Sequence, residues 1–215
     1  MRKLPTPQHK GQIVDVGQRV KKIAVRVRVP RVFVMCAALG VGVVTLNILL
    51  RLAGLQWSLT GSMPPGVYQV THDPLTRGQI VAVCLPPPIA QFGWQRGYLS
   101  RLPALRLISA CPGGYQALLK RIAAVEGDVV EVRPEAVLIN GGRIARSATQ
   151  EVDRRGRALP HVPWGTYTLT RGELWLLATS AVNSWDSRYY GPVSVADVLT
   201  TARPVLVVSH NGGTE

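Results

Sequence analysis

A run of nineteen residues without a charged side chain, from Val32 to Leu50, constrains this chain more than any other feature of its sequence. An α-helix needs about 20 consecutive apolar residues to cross the hydrocarbon core of a bilayer, so the length fits a membrane span. The alternative is a helix buried in a soluble core. Gly40 and Gly42 favour the span, because glycine is more frequent in membrane helices than in soluble ones. We therefore predict a transmembrane helix over residues 32–50.

The basic charge of the chain is concentrated directly before this run. Residues 1–31 carry nine Lys or Arg and one acidic residue, a balance of +8, whereas the other 184 residues carry sixteen basic and eleven acidic groups, a balance of +5. By the positive-inside rule, residues 1–31 form a basic cytoplasmic tail, 32–50 an uncleaved signal anchor and 51–215 an exported domain. Two alternatives are less favoured. Nucleic-acid binding would also use the tail's charge, and a cleavable signal peptide would have a shorter apolar run.

The three cysteines agree with this topology. Cys36 lies within the predicted span as a small apolar residue, whereas Cys84 and Cys111 lie in the exported part, where disulfides persist. We predict a Cys84–Cys111 bridge, which would contribute on the order of 3 kcal/mol by the loop-entropy model. Two buried free thiols are the alternative. The spacing is not that of a metal site and no histidines cluster with it, so we predict no metal site.

The exported part is predicted to be mainly β. Short segments rich in branched residues alternate with Gly/Pro-rich turns, and Asn140-Gly141 is typical of a tight hairpin. Residues 52–59 are predicted to be a connector, 86–111 a surface flap or an irregular loop, and 146–160 a solvated loop. The predicted strands are 67–70, 79–83, 129–132, 137–139, 143–144, 166–170, 173–178 and 205–208.

Lys120 is the most informative polar residue of the exported part. Residues 32–215 contain fifteen arginines but only this one lysine. A guanidinium keeps its proton in proteins, whereas a buried amine can lose it. Lys120 lies in the apolar run 117–125, and burial there would lower its pKa from about 10.4 toward neutrality. We predict that Lys120 is a general base; the alternative is a lysine at the end of a strand with its amine in solvent.

Ser62 is the candidate nucleophile that such a base would serve. It lies in the Gly/Pro-rich turn 60–66, where Gly61 leaves room for a substrate backbone. A serine hydroxyl needs an adjacent base to attack a carbonyl group. Thr60 is either an oxyanion donor beside the Ser62 amide or an ordinary β residue. A Ser-His site is the rival hypothesis, although no candidate lies in a recognisable motif. The histidines concerned are His72, His161 and His210.

Three sequence boxes now support a resemblance to a known family. The sequence T-G-S-M-P-P-G-V-Y at 60–68 resembles the nucleophile box of the signal peptidase I superfamily, in the S-x-P-x-G-x-Y form of its TraF-type conjugative transfer peptidases. L-K-R-I-A-A-V-E-G-D at 119–128 is similar to the lysine box of that superfamily, and N-S-W-D-S-R-Y-Y-G-P at 183–192 to its C-terminal box. The boxes occur in the family's order, and the N-terminal anchor agrees with it.

The resemblance implies a role for each matching residue. Ser62 would be the nucleophile and would donate its amide to the oxyanion, together with the Thr60 hydroxyl, and Lys120 would be the general base. Ser184 would orient the lysine amine. Asp186 and Arg188 would form a buried pair that is either structural or tunes the pKa of the lysine.

Two departures from the pattern of the housekeeping enzymes indicate which branch of the superfamily the chain resembles. Ala178-Thr179-Ser180 replaces the G-D-N found before the last box in housekeeping enzymes. The chain is also shorter than those enzymes. Both differences favour the TraF-type branch and a signal-peptidase-like fold whose second domain is reduced to loops.

The implied function is a membrane-anchored Ser/Lys endopeptidase without a cofactor. The family implies a bacterial inner-membrane location, a periplasmic catalytic domain and a pilin precursor, or another membrane-anchored preprotein, as substrate. Conjugative secretion machinery is an expected partner, and nucleic acid is not. Some members of the family join the new pilin C-terminus to its N-terminus, so the acyl-enzyme is resolved by water or by an amine. The alternatives are a signal peptidase for secreted preproteins and a non-catalytic pilus-assembly module.

Overall fold

The first element of the fold is a long apolar helix, α1 (Arg31–Leu52). The computed structural model describes residues 30–58, 63–101, 111–178, 180 and 182–208. Within α1 the stretch Arg31–Leu50 has a mean hydropathy of 2.4 and is long and apolar enough to cross a membrane, by length and composition. The predicted N-terminal apolar helix is therefore confirmed.

The rest of the described chain is built mainly from β-strands, which pair antiparallel in two sheets. The first sheet has the order β1-β2-β11-β3-β4-β9-β10 and the second has the order β7-β6-β5-β8. The strands in the described residues are β1 (Leu55–Ser58), β2 (Gly66–Thr71), β3 (Ile80–Val83), β4 (Leu118–Ala124), β5 (Val129–Val132), β6 (Val137–Ile139), β7 (Gly142–Arg143), β8 (Gly165–Thr168), β9 (Glu173–Leu177), β10 (Val193–Ser194) and β11 (Val198–Val207). The predicted mainly-β fold is confirmed.

Each sheet contributes to a hydrophobic core. On the first sheet, Val81, Ile122 and Leu176 are completely buried in one cluster. On the second sheet, Val130 packs in another cluster with Trp175, which belongs to β9 of the first sheet. Because successive strand residues point to opposite faces, a strand such as β9 can supply side chains to both clusters.

The hairpin between β6 and β7 forms where the sequence predicts it. Asn140 and Gly141 have φ angles of 50° and 80°, which a two-residue turn of this type requires. The Asn140 side chain also accepts a hydrogen bond of 2.9 Å from the Val129 amide, so the turn is tied to the start of β5.

Two predictions differ from the observed strands. Residues 55–58, predicted as part of a connector, form β1 and pair with β2. The last strand, predicted over 205–208, extends over Val198–Val207, between β2 and β3. Pro204 lies inside this strand, although proline cannot donate to a ladder and ordinarily argues against a central strand. The structure accommodates Pro204 beside an irregularity in the register with β2.

The Pro-rich segment before Cys111 contains a helix that sequence reasoning missed. Helix α2 (Pro87–Arg96) begins with prolines in its first turn and ends at Gly97, whose φ is 77°. Proline is tolerated at the first helical positions, and glycine is common after the last turn, so both signals were present. The prediction of an irregular loop is therefore wrong for these ten residues; residues 102–110 lie outside the described part.

The predicted disulfide between Cys84 and Cys111 is present, with an S–S distance of 2.18 Å. It joins the residue after β3 to the first described residue beyond 102–110. Both cysteines are buried in the first core cluster, near the aromatic side chain of Tyr115. The bridge therefore ties the chain on both sides of α2 to the sheet that carries Lys120.

Gly66, the glycine of the nucleophile box, is required by close backbone packing. A Cβ atom at this position would overlap the Leu206 carbonyl oxygen of β11 and approach the Cα atom of Val207 to 2.8 Å. Tyr68, two residues later, is 2% exposed and donates a hydrogen bond of 2.7 Å to the Pro64 carbonyl. Gly66 and Tyr68 therefore hold the segment after Ser62 against the sheet.

We predict that Gly66→Ala lowers the free energy of unfolding by about 2 kcal/mol, because overpacked sites typically cost 1–3 kcal/mol. The overlap is with backbone atoms, which cannot rotate away. Urea unfolding in detergent would measure the loss. Gln69→Ala, at an exposed position of the same strand, should change the stability little. Equal stability of both variants would contradict the proposed packing constraint.

Candidate active site

Lys120 lies near the middle of the first sheet with its side chain buried. It is 1% exposed and pairs in register with Val81 of β3. Along β4, Lys120 and Ile122 are buried and Arg121 between them is exposed. The alternative that places the amine of Lys120 in solvent is therefore wrong.

The amine of Lys120 contacts a second predicted site residue. Its Nζ donates a hydrogen bond of 2.6 Å to the Ser184 Oγ, and Ser184 is 3% exposed. Sixty-four residues separate the two in sequence, so only the fold brings them together. A neutral amine that donates to Ser184 keeps its lone pair free to accept a proton, as a general base must.

Asp186 and Arg188 form a buried ion pair that builds the loop around Ser184. Arg188 Nε donates to Asp186 Oδ1 at 2.8 Å and Arg188 Nη2 to Asp186 Oδ2 at 2.9 Å, and the side chains are 0% and 1% exposed. Arg188 Nη2 also donates to the Ser184 carbonyl at 3.0 Å. The pair is bidentate, which fixes its geometry as well as its charge balance.

Further hydrogen bonds tie this loop to its surroundings. Arg188 Nη1 donates to the Ala148 carbonyl. Asp186 accepts a hydrogen bond of 3.2 Å from the Ala178 amide, and the completely buried Ser187 accepts one of 2.9 Å from the Leu176 amide. The polar residues of the C-terminal box therefore hold the loop to β9 and to the segment near 148.

The end of the lysine box is a turn organised by Asp128. Its carboxylate accepts hydrogen bonds from the Val125 amide at 2.9 Å, from Arg77 Nε at 2.7 Å and from the Asn140 amide group at 3.0 Å. Gly127 has a φ of 83°, a conformation that favours glycine. The Gly-Asp pair of the box therefore fixes the exit of β4.

Ser62 and Thr60 lie outside the described residues, so their predicted roles remain predictions. The described chain resumes at Met63, which is 4% exposed and packs with Tyr68 and Ile80. Ile80 lies on β3, which pairs directly with β4. The described end of the nucleophile box is thus anchored to strands of the first sheet.

Burial is the main reason that Lys120 has an unusual proton affinity. It lowers the pKa of Lys120 from the ordinary 10.5 to about 8. Asp186 acts in the opposite direction and Arg188 adds to the lowering of that pKa. At neutral pH a substantial minority of the molecules therefore carries a neutral amine, in the range a general base requires.

A cavity of about 500 Å³ opens beside Lys120 and Ser184. Its wall includes Gln150 and other residues of the segment 146–160, which was predicted to be a solvated loop. That prediction is wrong at Ser147, Thr149 and Leu159, which are buried. The alternation of short polar and arginine residues gave no periodic signal that could have revealed this wall.

The other polar candidates do not form a metal centre in the described part of the chain. No group of three or more His, Cys, Asp or Glu side chains that could hold a metal ion occurs among the described residues. His161 stacks on Trp164, with 4.0 Å between the ring centroids. His210 lies outside the described residues.

We predict that the buried amine makes the stability depend on pH. Between about pH 8 and pH 10.5 the unfolded chain binds more protons at Lys120 than the folded chain, so the stability rises with pH across this window. The full rise is roughly 3 kcal/mol, because each unit of pKa difference corresponds to 1.36 kcal/mol. Lys120→Met should lack this rise in urea unfolding measured across the window.

Arg121→Met is the matched control, because Arg121 is the exposed neighbour on the same strand. Its stability should follow the wild-type pH dependence. A wild-type curve parallel to that of Lys120→Met would show that Lys120 has an ordinary pKa in the folded protein.

Comparison with known proteins places this geometry in context. The family model for "signal peptidase, peptidase S26" matches residues 27–207. The chain is 36% identical over 157 residues to a plasmid transfer protein TraF of Escherichia coli, covering 72% of this chain and 84% of that protein. It is 34% identical over 158 residues to the conjugal transfer protein TraF of Agrobacterium fabrum (strain C58), covering 72% and 83% of the two chains.

A solved structure also resembles the chain, at lower similarity. It is a signal peptidase I from Enterococcus faecalis V583, with 19% sequence identity and a TM-score of 0.33. The similarity covers 65% of this chain and 100% of that one.

Proposed function

Because the chain belongs to the signal peptidase S26 family, we propose that it is a membrane-anchored serine endopeptidase in which Ser62 and Lys120 form the catalytic dyad. The observation that carries the proposal is the buried amine of Lys120, which donates to Ser184 and has a pKa lowered to about 8. A lysine that served only the fold would gain nothing from losing its charge, and burying it costs free energy.

The proposed reaction begins with attack of the Ser62 hydroxyl on the scissile carbonyl carbon. The neutral amine of Lys120 takes the hydroxyl proton, and the hydrogen bond from Nζ to Ser184 leaves the lone pair of the amine free to accept it. The tetrahedral oxyanion is stabilised by the Ser62 amide and the Thr60 hydroxyl. The C–N bond then breaks, the Lys120 ammonium protonates the leaving amine, and an acyl-enzyme ester remains on Ser62.

The acyl-enzyme is resolved either by water or by an amine. Water, deprotonated by the regenerated amine of Lys120, gives a linear product. The N-terminal amine of the same substrate gives a cyclic product, which is lighter than the linear one by one water. The mass of the product therefore distinguishes hydrolysis from cyclisation.

The substrate that we propose is a pilin-type propeptide processed for conjugative transfer. The support is the similarity to the plasmid transfer protein of Escherichia coli and the conjugal transfer protein of Agrobacterium fabrum. The apolar helix α1 preceded by a basic tail supports an inner-membrane anchor with a cytoplasmic N-terminus and a periplasmic catalytic domain. Conjugative secretion machinery is the expected partner.

A signal peptidase for secreted preproteins is the second candidate, because the family whose model matches the chain is that of signal peptidases. The two activities are separated by supplying a pilin precursor and a secreted preprotein to the same membrane preparation. Preferential cleavage of the secreted preprotein would overturn the conjugative assignment and leave the dyad in place. A non-catalytic assembly module would cleave neither.

We predict that Ser62→Ala and Lys120→Arg each abolish processing of a pilin precursor, while the protein remains folded in the membrane. Loss of the nucleophile or of the base typically costs several orders of magnitude, and the double variant should be little worse than either single one. Lys120→Arg is the sharper test, because it keeps the positive charge and removes the titratable amine. Precursor processing is measured by electrophoresis and mass spectrometry.

Arg121→Lys, an exposed exchange at the next residue, should retain wild-type activity. In the wild type, kcat/KM should rise with pH and level off above about pH 8, because the neutral amine is the active form. Substantial activity of Lys120→Arg, or a wild-type kcat/KM that does not change with pH below about pH 8, would overturn the hypothesis that Lys120 is the general base.

The anchor should contribute to the rate through co-localisation. About a dozen residues separate Leu50 from Ser62, and an extended chain spans at most roughly 3.3–3.6 Å per residue, so Ser62 lies within about 40 Å of the end of the apolar run. Deleting residues 1–50, with export supplied by another signal, should leave an enzyme that cleaves a short soluble peptide. The same truncation should process a membrane-anchored precursor far more slowly than the full chain.

The comparison uses two substrates with the same cleavage sequence, one anchored and one soluble. Full-length and truncated proteins should differ on the anchored substrate and agree on the soluble one. Equal rates on the anchored substrate would show that the span serves only for export.

A further inference from the structure

The cavity beside the proposed catalytic lysine is strongly basic. Lys120 and Ser184 form part of its wall, and four arginines and one aspartate form another part. With four positive charges and one negative charge, these side chains leave a balance of +3 before Lys120 is counted. The residues concerned are Arg96, Asp153, Arg154, Arg155 and Arg157.

Asp153 is already saturated by its own neighbours. Its Oδ2 accepts hydrogen bonds from Tyr98 at 2.6 Å and from Arg157 Nε at 2.8 Å. Its Oδ1 accepts from the backbone amides of Arg155 and Arg157 at 2.8 and 3.0 Å. Hydrogen bonds from Arg157 and Tyr98 hold the pKa of Asp153 well below its usual range. Asp153 therefore stays ionised, neutralises Arg157 and shapes the turn.

Arg96 is also partly held by contacts with its neighbours. Its Nη1 lies 3.8 Å from Asp153 Oδ2 and donates to the Ala158 carbonyl at 3.0 Å, and its guanidinium lies over the Phe92 ring. Arg96 therefore supports the wall by packing and hydrogen bonding and contributes only part of its charge to the cavity.

Arg154 and Arg155 differ from Arg96 and Arg157 in their ion pairing. Both are exposed and line the cavity, and within the described residues neither side chain takes part in a salt bridge. Among the described residues, the carboxylate on this wall is that of Asp153, and it is occupied by Arg157 and Tyr98. Arg154 and Arg155 thus line a concave space of about 500 Å³, a size typical of ligand pockets, and no described carboxylate of that wall is left to balance their charges.

We propose that this cavity is a specificity subsite that binds an acidic side chain of the peptide substrate close to the scissile bond, with Arg154 and Arg155 as the contacts. The inference rests on the proposed function for the identity of the ligand as a peptide. The planar fork of arginine pairs with a carboxylate through two hydrogen bonds, so the arginines distinguish a carboxylate from its amide.

A peptide is favoured over an anionic lipid because of what else the cavity contacts. The same space is bounded by the amine of Lys120 and the hydroxyl of Ser184, and by the apolar side chains of Leu118 and Trp185. A peptide whose scissile bond lies at Lys120 places its neighbouring side chains in this space. A lipid headgroup in the same position would block the general base.

The test uses full-length protein in detergent and quenched fluorescent peptides on an alanine-rich scaffold. Glutamate or its isostere glutamine is placed in turn at each position within about four residues of the scissile bond. In the wild type, glutamate at one or two positions should raise kcat/KM about tenfold over glutamine, the size expected for a charge-assisted hydrogen bond. Arg154→Gln/Arg155→Gln should bring that ratio close to one.

A matched control removes the same charge elsewhere. Arg143→Gln/Arg171→Gln changes two exposed arginines outside the cavity wall and should keep the tenfold preference for glutamate. Arg154→Glu/Arg155→Glu should reverse the preference, so that lysine at the same position is favoured. A glutamate preference that survives in Arg154→Gln/Arg155→Gln, or a wild type that cleaves the glutamate and glutamine peptides equally fast at every position, would overturn the proposal.

Binding separates the subsite from the proposed catalysis. In the Ser62→Ala background, fluorescein-labelled peptides measured by anisotropy should bind about tenfold more tightly with glutamate than with glutamine, and only when Arg154 and Arg155 are present. That result supports the subsite even if the wild type cleaves nothing, which would refute the proposed function alone. Arginine-dependent binding of short-chain phosphatidylglycerol without any glutamate preference would identify a lipid site and overturn the proposal.

Discussion

The buried ion pair between Asp186 and Arg188 is the interaction on which the rest of the site depends. Both side chains are at most 1% exposed, and charges in such a place are tolerated only when they are paired and their remaining hydrogen-bonding groups are satisfied. Here those groups are satisfied by the Ala148 and Ser184 carbonyls and the Ala178 amide. The pair therefore determines where Ser184 lies, and Ser184 determines where the amine of Lys120 points.

The same pair also influences how strongly the lysine holds its proton. An unpaired Asp186 carboxylate would stabilise the ammonium form and raise the pKa of Lys120, whereas Arg188 acts in the opposite direction. Because the two charges are held together at 2.8 and 2.9 Å, their effects on the pKa of Lys120 oppose each other, and burial is the larger influence. One ion pair thus positions Ser184 and leaves burial as the main cause of the lowered pKa of Lys120.

The sequence predicts the strands that are rich in β-branched residues, and it reveals the three sequence boxes, because both features depend on local chemistry. Lys120 was predicted to be buried from its apolar neighbours, and the family resemblance, now shown over most of the chain, supplied its expected contact with Ser184. The basic cavity wall was not predictable. It forms because Asp153 holds Arg157 of its own irregular segment and Tyr98 from beyond the end of α2. Pro204 lies inside β11, where proline is ordinarily an argument against a strand, whereas α2 carries the proline and glycine signals that are usual at the two ends of a helix.

The spacing of the lysine box follows from the need to fix the register of β4. A shift of one residue would move Arg121 to the buried face and Lys120 to solvent, because successive side chains point to opposite faces. Reciprocal backbone bonds of 2.8 Å, from Ile122 to Gln79 and from Gly78 to Ile122, join β4 to the residues just before β3. Asp128 then secures the exit of the strand through Val125 and Arg77. The aspartate eight residues from the lysine therefore acts without contacting the amine, by holding β4 in the register that keeps Lys120 on the inner face.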